Sequence, residues 1–589
     1  MKSLTLLLMA LMPAFLNAET LTLDESFHHV RNKKKREWNS FAELPESVSI
    51  EHTFSLKTPE KWKFLTFRQA ETKQAWEVNL NGQKIGQLAR DHNDMEQVLE
   101  IPTGILQASD NILEISTASS VPDDIRIGEF ALQSEDLETR AGASGYAMSV
   151  VDEAGQPLPC RFTIVKAESG TLALLSAKSN ERQAVRTGVV YALDGKLNVR
   201  LVPGDYRIHV GRGFEYELVN LPIKVSAGQM SLPSEPVTLH RQVPTPGMVA
   251  CDAHLHTYEF ARHGDCSLIE RLISIAGEGI ELPISTEHNQ HIDYAPEAER
   301  IGASSFFTPV IGCEVTTSEG HFNSWPIEKD ATPAEHKLRP WKEVFRNIYD
   351  TPGVKVCMLN HGRDLHGGFT PFSPSHWSLR SGSFTDGRQL RANGMEVLNS
   401  GATKVDPLLL AHDWMALVRS GHQIAAFGTS DSHTVNFAIP GQGRTYLPIP
   451  DGDPSNLDVQ AAAEAVLKGQ TYVSFGLLAK ISHDGEKITA TVWGPDWTQA
   501  KELTLFVNGT ARRKFRISES EGKAAGKKFS TTWTASDLKV KRGQFVVAIA
   551  TGPGITEAYW PMMPPYQAES TDFKPYVLGI SPPIYPRGR

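Results

Sequence analysis

The chain has 589 residues, of which 40% are hydrophobic and 22% charged, and a formal net charge of -9. These fractions exclude a disordered or fibrous protein and indicate a folded one of about three to five domains. A mildly acidic chain without charge blocks also excludes nucleic acid as an expected partner.

Met1-Lys2-Ser3, an apolar run from Leu4 to Leu16 and Asn17-Ala18-Glu19 read as a secretory leader over 1–18, cleaved after Ala18. That run is too short to cross a bilayer as a mature helix, and no later stretch is long and apolar enough. A periplasmic or secreted protein without a transmembrane segment is therefore expected. The five cysteines, Cys160, Cys251, Cys266, Cys313 and Cys357, form no C-x-x-C pair and are expected to be small buried core residues.

From 19 to 135 the chain reads as short strands separated by turn signals. Trp76 to Leu80 alternates apolar and polar residues and runs into Asn81-Gly82, the strongest short hairpin signal. This segment resembles galactose-binding-like jelly rolls, which implies a β-sandwich that either binds carbohydrate or packs against its neighbour. A second β unit, 141–242, has strand, turn and strand around Gly155-Gln156-Pro157 and Val202-Pro203-Gly204-Asp205. It resembles small immunoglobulin-like and carboxypeptidase regulatory-like modules.

After the linker Val243-Pro244-Thr245-Pro246-Gly247 the pattern changes. Ser267 and Glu270 form a capping box ahead of Leu268, Leu272, Ile273 and Ala276 at helical spacing. Asp406-Pro407 opens another helix, and a third runs from about Asp458 to Lys468. Strands alternating with helices over 248–476 predict a parallel α/β domain, most simply a barrel.

Polar residues able to bind metal stand where the apolar runs of this segment stop. Two residues apart on a strand means one face, so His254 and His256 in Cys251-Asp252-Ala253-His254-Leu255-His256 aim at one point. Leu282 to Thr286 runs into Glu287-His288, Phe306 to Ile311 into Gly312-Cys313-Glu314 with His321 shortly after, and Val354 to Leu359 into Asn360-His361. Ile424 to Gly428 runs into Thr429-Ser430-Asp431-Ser432-His433. Strand ends offering imidazole and carboxylate, with little sulfur, describe a hydrolytic multinuclear site for zinc, manganese or iron.

Asp252-x-His254-x-His256, Thr286-Glu287-His288-Asn289, Gly312-x-Glu314, Gly320-His321, Asn360-His361 and Ser430-Asp431-Ser432-His433 resemble the successive motifs of the PHP (polymerase and histidinol phosphatase) superfamily. The closing Gly469 to Val473 is similar to its CehA/McbA-like branch, which includes carbaryl hydrolase. The resemblance implies an α/β fold, a distorted (β/α)7 PHP barrel over 248–476, preceded by the two β-sandwich domains and followed by a small β-rich domain at 477–589. It assigns His254, His256, Glu314 and Asp431 to one metal, with Glu314 bridging to a second held by His321 and His361. A third would use His288 and His433 with Asp265, for which His263 is the rival. Glu287 stands where the family commonly has Asp.

The implied function is that of an exported metal-dependent hydrolase using a metal-bridged hydroxide, with two or three divalent ions (Zn, Mn or Fe) acting on a small-molecule or glycan-linked phosphoester. A carbamate, ester or amide hydrolase of the carbaryl-hydrolase type is the alternative, and a non-catalytic carbohydrate-binding protein is the third reading. Asp431, His361, Arg363 and His366 are the catalytic candidates. Arg363 is expected to clamp an anionic substrate group, while His366, His291 and Asn289 are weaker candidates for proton transfer or substrate contacts, and Asn399 is expected to line the pocket.

Overall fold

The computed structural model describes residues 18–37, 41–363, 369–402, 406, 408–562 and 574–589. The expected leader, apart from Ala18, and the candidate His366 lie outside the described residues. Among those described, no helix is long and apolar enough to cross a membrane.

Two antiparallel sheets hold the segment from 20 to 133. Its hairpin joins Glu77–Leu80 to Gln83–Gln87, with Leu80 opposite Gln83. Asn81 and Gly82 both adopt positive φ, +52° and +77°, the twist that matches two antiparallel strands and that Asn-Gly tolerates. The same device closes Glu502–Val507 onto Thr510–Arg516 through Asn508 and Gly509. Residues 145–238 form further strands around a core that includes Phe162, Ile164, Val190 and Ile208.

The expected (β/α)7 barrel is not what the 248–476 segment forms. Among the described residues 38% are strand and only 12% helix, so the regular structure of the molecule is mostly β-sheet. Strand Val249–Leu255 is parallel to Leu282–Ser285, which is parallel to Val310–Ile311, but its other edge is antiparallel to Arg444–Leu447. A second sheet runs from Cys313–Thr317 through Gly320–Trp325 and Val356–Leu359 to Gly394–Asn399 and Ala425–Thr429. Its first two pairings are antiparallel and its last two parallel. Among the described residues no strand ladder joins the two sheets; isolated bridges, Leu255 with Ser432 and His288 with Glu314, and side-chain hydrogen bonds such as Asn323 Nδ2 to the Ala253 carbonyl at 2.7 Å link them. The physical reason is local: Glu314 and His321 lie on two arms of one hairpin, where the sequence reads as one strand, Phe306 to Ile311, ending at Glu314 with His321 shortly after.

The sheet that begins at Val249 also runs across position 476. Tyr472–Phe475 pairs with Tyr576–Ile580, which pairs with Val546–Pro553. The C-terminal strands thus extend the sheet that carries His254.

The helix Leu268–Gly277 has the predicted capping box, with the Ser267 side chain accepting from the Glu270 backbone N–H and Glu270 returning to Ser267. Val459–Leu467 is capped by Asp458, whose side chain accepts from Ala461 N at 2.9 Å. It packs Ala462, Ala463 and Val466 into a core with Cys251, Ala253, Ile284, Met358 and Phe427. Burying a side chain such as Phe427 contributes about 1.5–3 kcal/mol, so these strands, and the polar residues at their ends, are held from behind. All five cysteines are buried free thiols.

Candidate metal centre

Strand ends from both sheets converge, and Glu314 stands at the middle. Its Oε1 lies 3.1 Å from His321 Nδ1, 3.5 Å from His254 Nε2 and 3.6 Å from His361 Nε2. Its Oε2 lies 2.7 Å from His288 Nδ1 and 3.5 Å from His256 Nε2. Asp431 Oδ1 is 3.2 Å from His254 Nε2 and 3.5 Å from His256 Nε2. Three groups of potential ligand atoms result, each within 4.8 Å: His254, His256 and Asp431; Glu314, His321 and His361; His256, His288 and His433.

Burial makes this arrangement informative. His254, His256 and Glu314 are at most 1% exposed, and the ring nitrogens His254 Nε2, both nitrogens of His256 and His433 Nε2 have no hydrogen-bond partner. A buried polar atom left unmatched costs about 1–3 kcal/mol, and a coordinated cation would satisfy several of these atoms together. Imidazole and carboxylate donors fit such an ion chemically.

Electrostatics point the same way. Burial alone would push the Glu314 and Asp431 carboxyls up, but the surrounding histidines hold both well below the ordinary carboxylate range. Burial likewise opposes charge on His254, yet Asp431, Glu396 and Glu314 hold that ring well above its usual value. His433, buried and facing His256, is pushed well below it. Two ionised carboxylates in a buried cluster of rings favour positive charge between them.

A buried layer behind these residues fixes them. Glu396, fully buried, accepts from His254 Nδ1 at 2.7 Å and Thr429 Oγ1 at 2.6 Å on one oxygen. Its other oxygen accepts from the His361 backbone N–H at 2.5 Å and Asn399 Nδ2 at 3.0 Å. The Asn399 amide also reaches Asp431 Oδ2 at 3.1 Å, so Asn399 braces two carboxylates. Asp252 accepts from the backbone of His254, Ser430 and Gly441. Arg271 donates to the carbonyls of His256 and Ser432. His361 and Asp431 adopt positive φ, +26° and +51°, uncommon for such residues and tolerated where the surroundings over-determine the backbone.

Of the expected ligands, eight converge in these groups and Asp265 does not. Asp265 lines the cavity but is held by Arg186 Nε at 2.9 Å and Val435 N at 3.0 Å. Its rival His263 stacks against His433 and His288, with ring centroids 4.2 and 5.3 Å apart. Arg363 is not placed as an anion clamp: it pairs with Asp413 through Nε and Nη2 at 2.5 and 3.0 Å. Asp413, fully buried, also takes Trp377 Nε1 at 2.8 Å, so the guanidinium neutralises a buried carboxylate. His291 is bonded to the Ala331 carbonyl, and Asn289 Oδ1 accepts from Thr316 N.

Glu396 was missed as a supporting residue although a signal existed. A carboxylate in the middle of the apolar run Met395-Glu396-Val397-Leu398 has to be buried and therefore partnered. Arg271, on the apolar side of its helix, carried the same signal.

No family model matches the chain, and no curated protein matches it. Solved structures that it matches include a Faecalibacterium prausnitzii β-glucuronidase, at 10% identity and a TM-score of 0.14 over 50% of this chain and 59% of that one. A glycosyl hydrolase family 2 member from Bacteroides cellulosilyticus DSM 14838 aligns at 10% identity and 0.18 over 96% of each chain. A Bacteroides uniformis β-glucuronidase aligns at 10% identity and 0.20 over 91% of this chain and 78% of that one. At such TM-scores the likeness assigns neither fold nor activity. The expectation of a PHP-superfamily, metal-dependent phosphoester hydrolase, with its carbamate-hydrolase and carbohydrate-binding alternatives, is corrected: no family match carries it, and the barrel it implies is not formed.

Proposed function

We propose that the 248–447 region is a divalent-metal-binding centre for two or three ions, opening into a cavity that admits an organic ligand. The observation that carries this reading is the set of buried, unmatched ring nitrogens of His254, His256 and His433 facing the Glu314 and Asp431 carboxylates. Imidazole-rich donors suit borderline transition metals better than calcium or magnesium, which prefer all-oxygen sites. Such ions, when bound, polarise a ligand oxygen and acidify water.

The chain's own residues supply the geometry. Glu314 presents one oxygen to the His321 and His361 side and the other to the His256 and His288 side, Asp431 completes the His254 and His256 group, and Glu396 fixes the His254 ring from behind. Titration of chelator-treated protein with Co²⁺, followed by visible absorbance, tests the proposal. Saturation at two or three equivalents is expected, reduced by His256→Ala, which belongs to two of the three groups. A featureless titration identical in the variant would overturn it. Export, read from residues 1–18, belongs to the same proposal and is checked by N-terminal sequencing of the mature protein.

A further inference from the structure

The cavity in front of the metal centre has a volume of about 1350 Å³, larger than the roughly 300–1,000 Å³ typical of small-ligand sites. Only one end of it is formed by the histidines. The opposite wall comes from the N-terminal sandwich, with Lys35, Arg36, Lys73, Gln87, Arg90 and Gln97 among its lining side chains.

This wall is fixed to the centre. Asp91, buried in the wall, accepts from the Asn436 side chain and from Asn93 N at 2.8 Å. Asn93 Nδ2 reaches the Asn436 carbonyl at 3.5 Å, and the His92 ring meets Phe437 edge-on at 6.0 Å. Asn436 lies three residues beyond His433, so the sandwich contacts the very loop that carries two of the candidate ligands.

The wall is also basic, in a chain whose net charge is -9. Lys35, Arg36, Lys73, Arg90 and Arg186 line the cavity against three carboxylates outside the centre, Glu37, Asp91 and Asp265. Lys73 is engaged by Glu37 at 2.9 Å and Asp123 at 3.4 Å, and Arg186 by Asp265 and Glu270. Lys35 and Arg90 are exposed, and Arg90 is anchored through Nε to the Lys73 carbonyl at 3.0 Å. The exposed cations at this end therefore exceed what the wall's own carboxylates balance. Among the described lining residues the only carbocyclic ring is Phe437; Leu88, Met95, Val121 and Pro122 place apolar surface between the ammonium, guanidinium and amide groups but offer little platform for stacking a neutral sugar.

We infer that the N-terminal sandwich is the anion-binding wall of this site, and that the ligand is an extended polyanion, a sugar acid or a polyphosphate, with one pole at the His/carboxylate centre and the other against Lys35 and Arg90. The inference rests on the metal-centre reading for the first pole alone. Calorimetric titration of the full-length protein with trigalacturonate and with tripolyphosphate tests it, with maltotriose as the neutral control and metal content measured on each sample. The wild type is expected to bind at least one of the two anions, more weakly as salt rises, and a Lys35→Ala/Arg90→Ala variant to bind it at least tenfold more weakly with metal content unchanged. Unchanged affinity in the variant, maltotriose bound as tightly as the anions, or neither anion bound by the wild type would overturn it. Loss of metal together with anion would also count against it, since the wall would then act through the centre. Low metal content in the wild type, with anion binding intact and sensitive to the variant, would instead sink the metal reading and leave the wall standing.

Discussion

The two ends of the cavity are built in opposite ways. At the centre, the ligand atoms sit at the ends of largely buried strands, and three of the ligands are braced by a further polar residue: Glu396 behind His254, Asn360 Nδ2 on Glu314 Oε1 at 2.9 Å, Asn399 on Asp431. At the wall, the cations stand in loops of the sandwich, and Lys35 and Arg90 are solvent-exposed. On the proposed reading the centre is preorganised for a fixed small cation, whereas the wall offers charge that can adapt to a larger ligand. Changes at the centre should therefore be costly and change metal content, and changes at the wall should be cheap and leave it alone.

The sharpest way to break that contrast is Glu396→Ala. It removes the acceptor shared by His254 Nδ1, Thr429 Oγ1 and the His361 N–H, and leaves these buried donors unmatched at about 1–3 kcal/mol each. Stability should fall by several kcal/mol, and metal affinity by about 10–100-fold, the usual effect of losing a residue that orients a ligand. Glu396→Gln retains an acceptor and should recover part of both. Chemical denaturation and competition with a chelator measure the two effects, and wild-type metal affinity in both variants would show that the brace is irrelevant.

Arg363→Ala comes next. It strands the Asp413 carboxylate with Trp377 Nε1 alone, and because Arg363 is partly exposed the cost should be about 2–3 kcal/mol, below that of a fully buried pair. Metal content should not change. A variant that loses metal would place Arg363 at the centre after all.

Between the two ends, Asp91 makes the attachment of the wall sensitive to pH. Burial pushes its carboxyl up to about 7 from an ordinary aspartate value, against the hydrogen bonds from Asn93 and Asn436. A carboxyl raised on folding contributes stability that is present below its unfolded pKa and is lost as pH rises through about 7. The wild type should therefore lose about 2 kcal/mol relative to Asp91→Asn between pH 5 and pH 8. Thermal unfolding of both proteins across that range checks the sign, and parallel curves would contradict it. At the small end, Lys84→Ala breaks an exposed 2.7 Å pair with Glu77 and should change stability by no more than about 0.5 kcal/mol.

How much of this was legible in the sequence follows from the same contrast. The strand-end residues announced themselves because an apolar run that stops at His or Glu is a local pattern, and eight of the nine expected ligands meet in space. Asn81-Gly82 and the Ser267 capping box were legible for the same local reason. What the pattern could not supply is pairing. Gly394–Asn399 and Ala425–Thr429 are parallel, as a barrel requires, but Cys313–Thr317 and Gly320–Trp325 form a hairpin, and both kinds read as apolar runs ending in polar residues. The wall was invisible because Lys35, Arg90 and Asp91 lie more than 160 residues before His254, in a segment read by itself as an accessory sandwich. Arg363 misled because a guanidinium two residues from a ligand reads as an anion clamp until Asp413, 50 residues on, is seen beside it.

Elemental analysis of the purified full-length protein beside its Glu314→Ala variant reads the metal centre itself. Glu314 lies within 3.6 Å of five of the six candidate histidines, so two to three equivalents of divalent metal are expected in the wild type and less than one in the variant, with the fold intact by circular dichroism. Metal content that is below one equivalent in the wild type after reconstitution, or unchanged in a folded variant, would contradict the proposed centre.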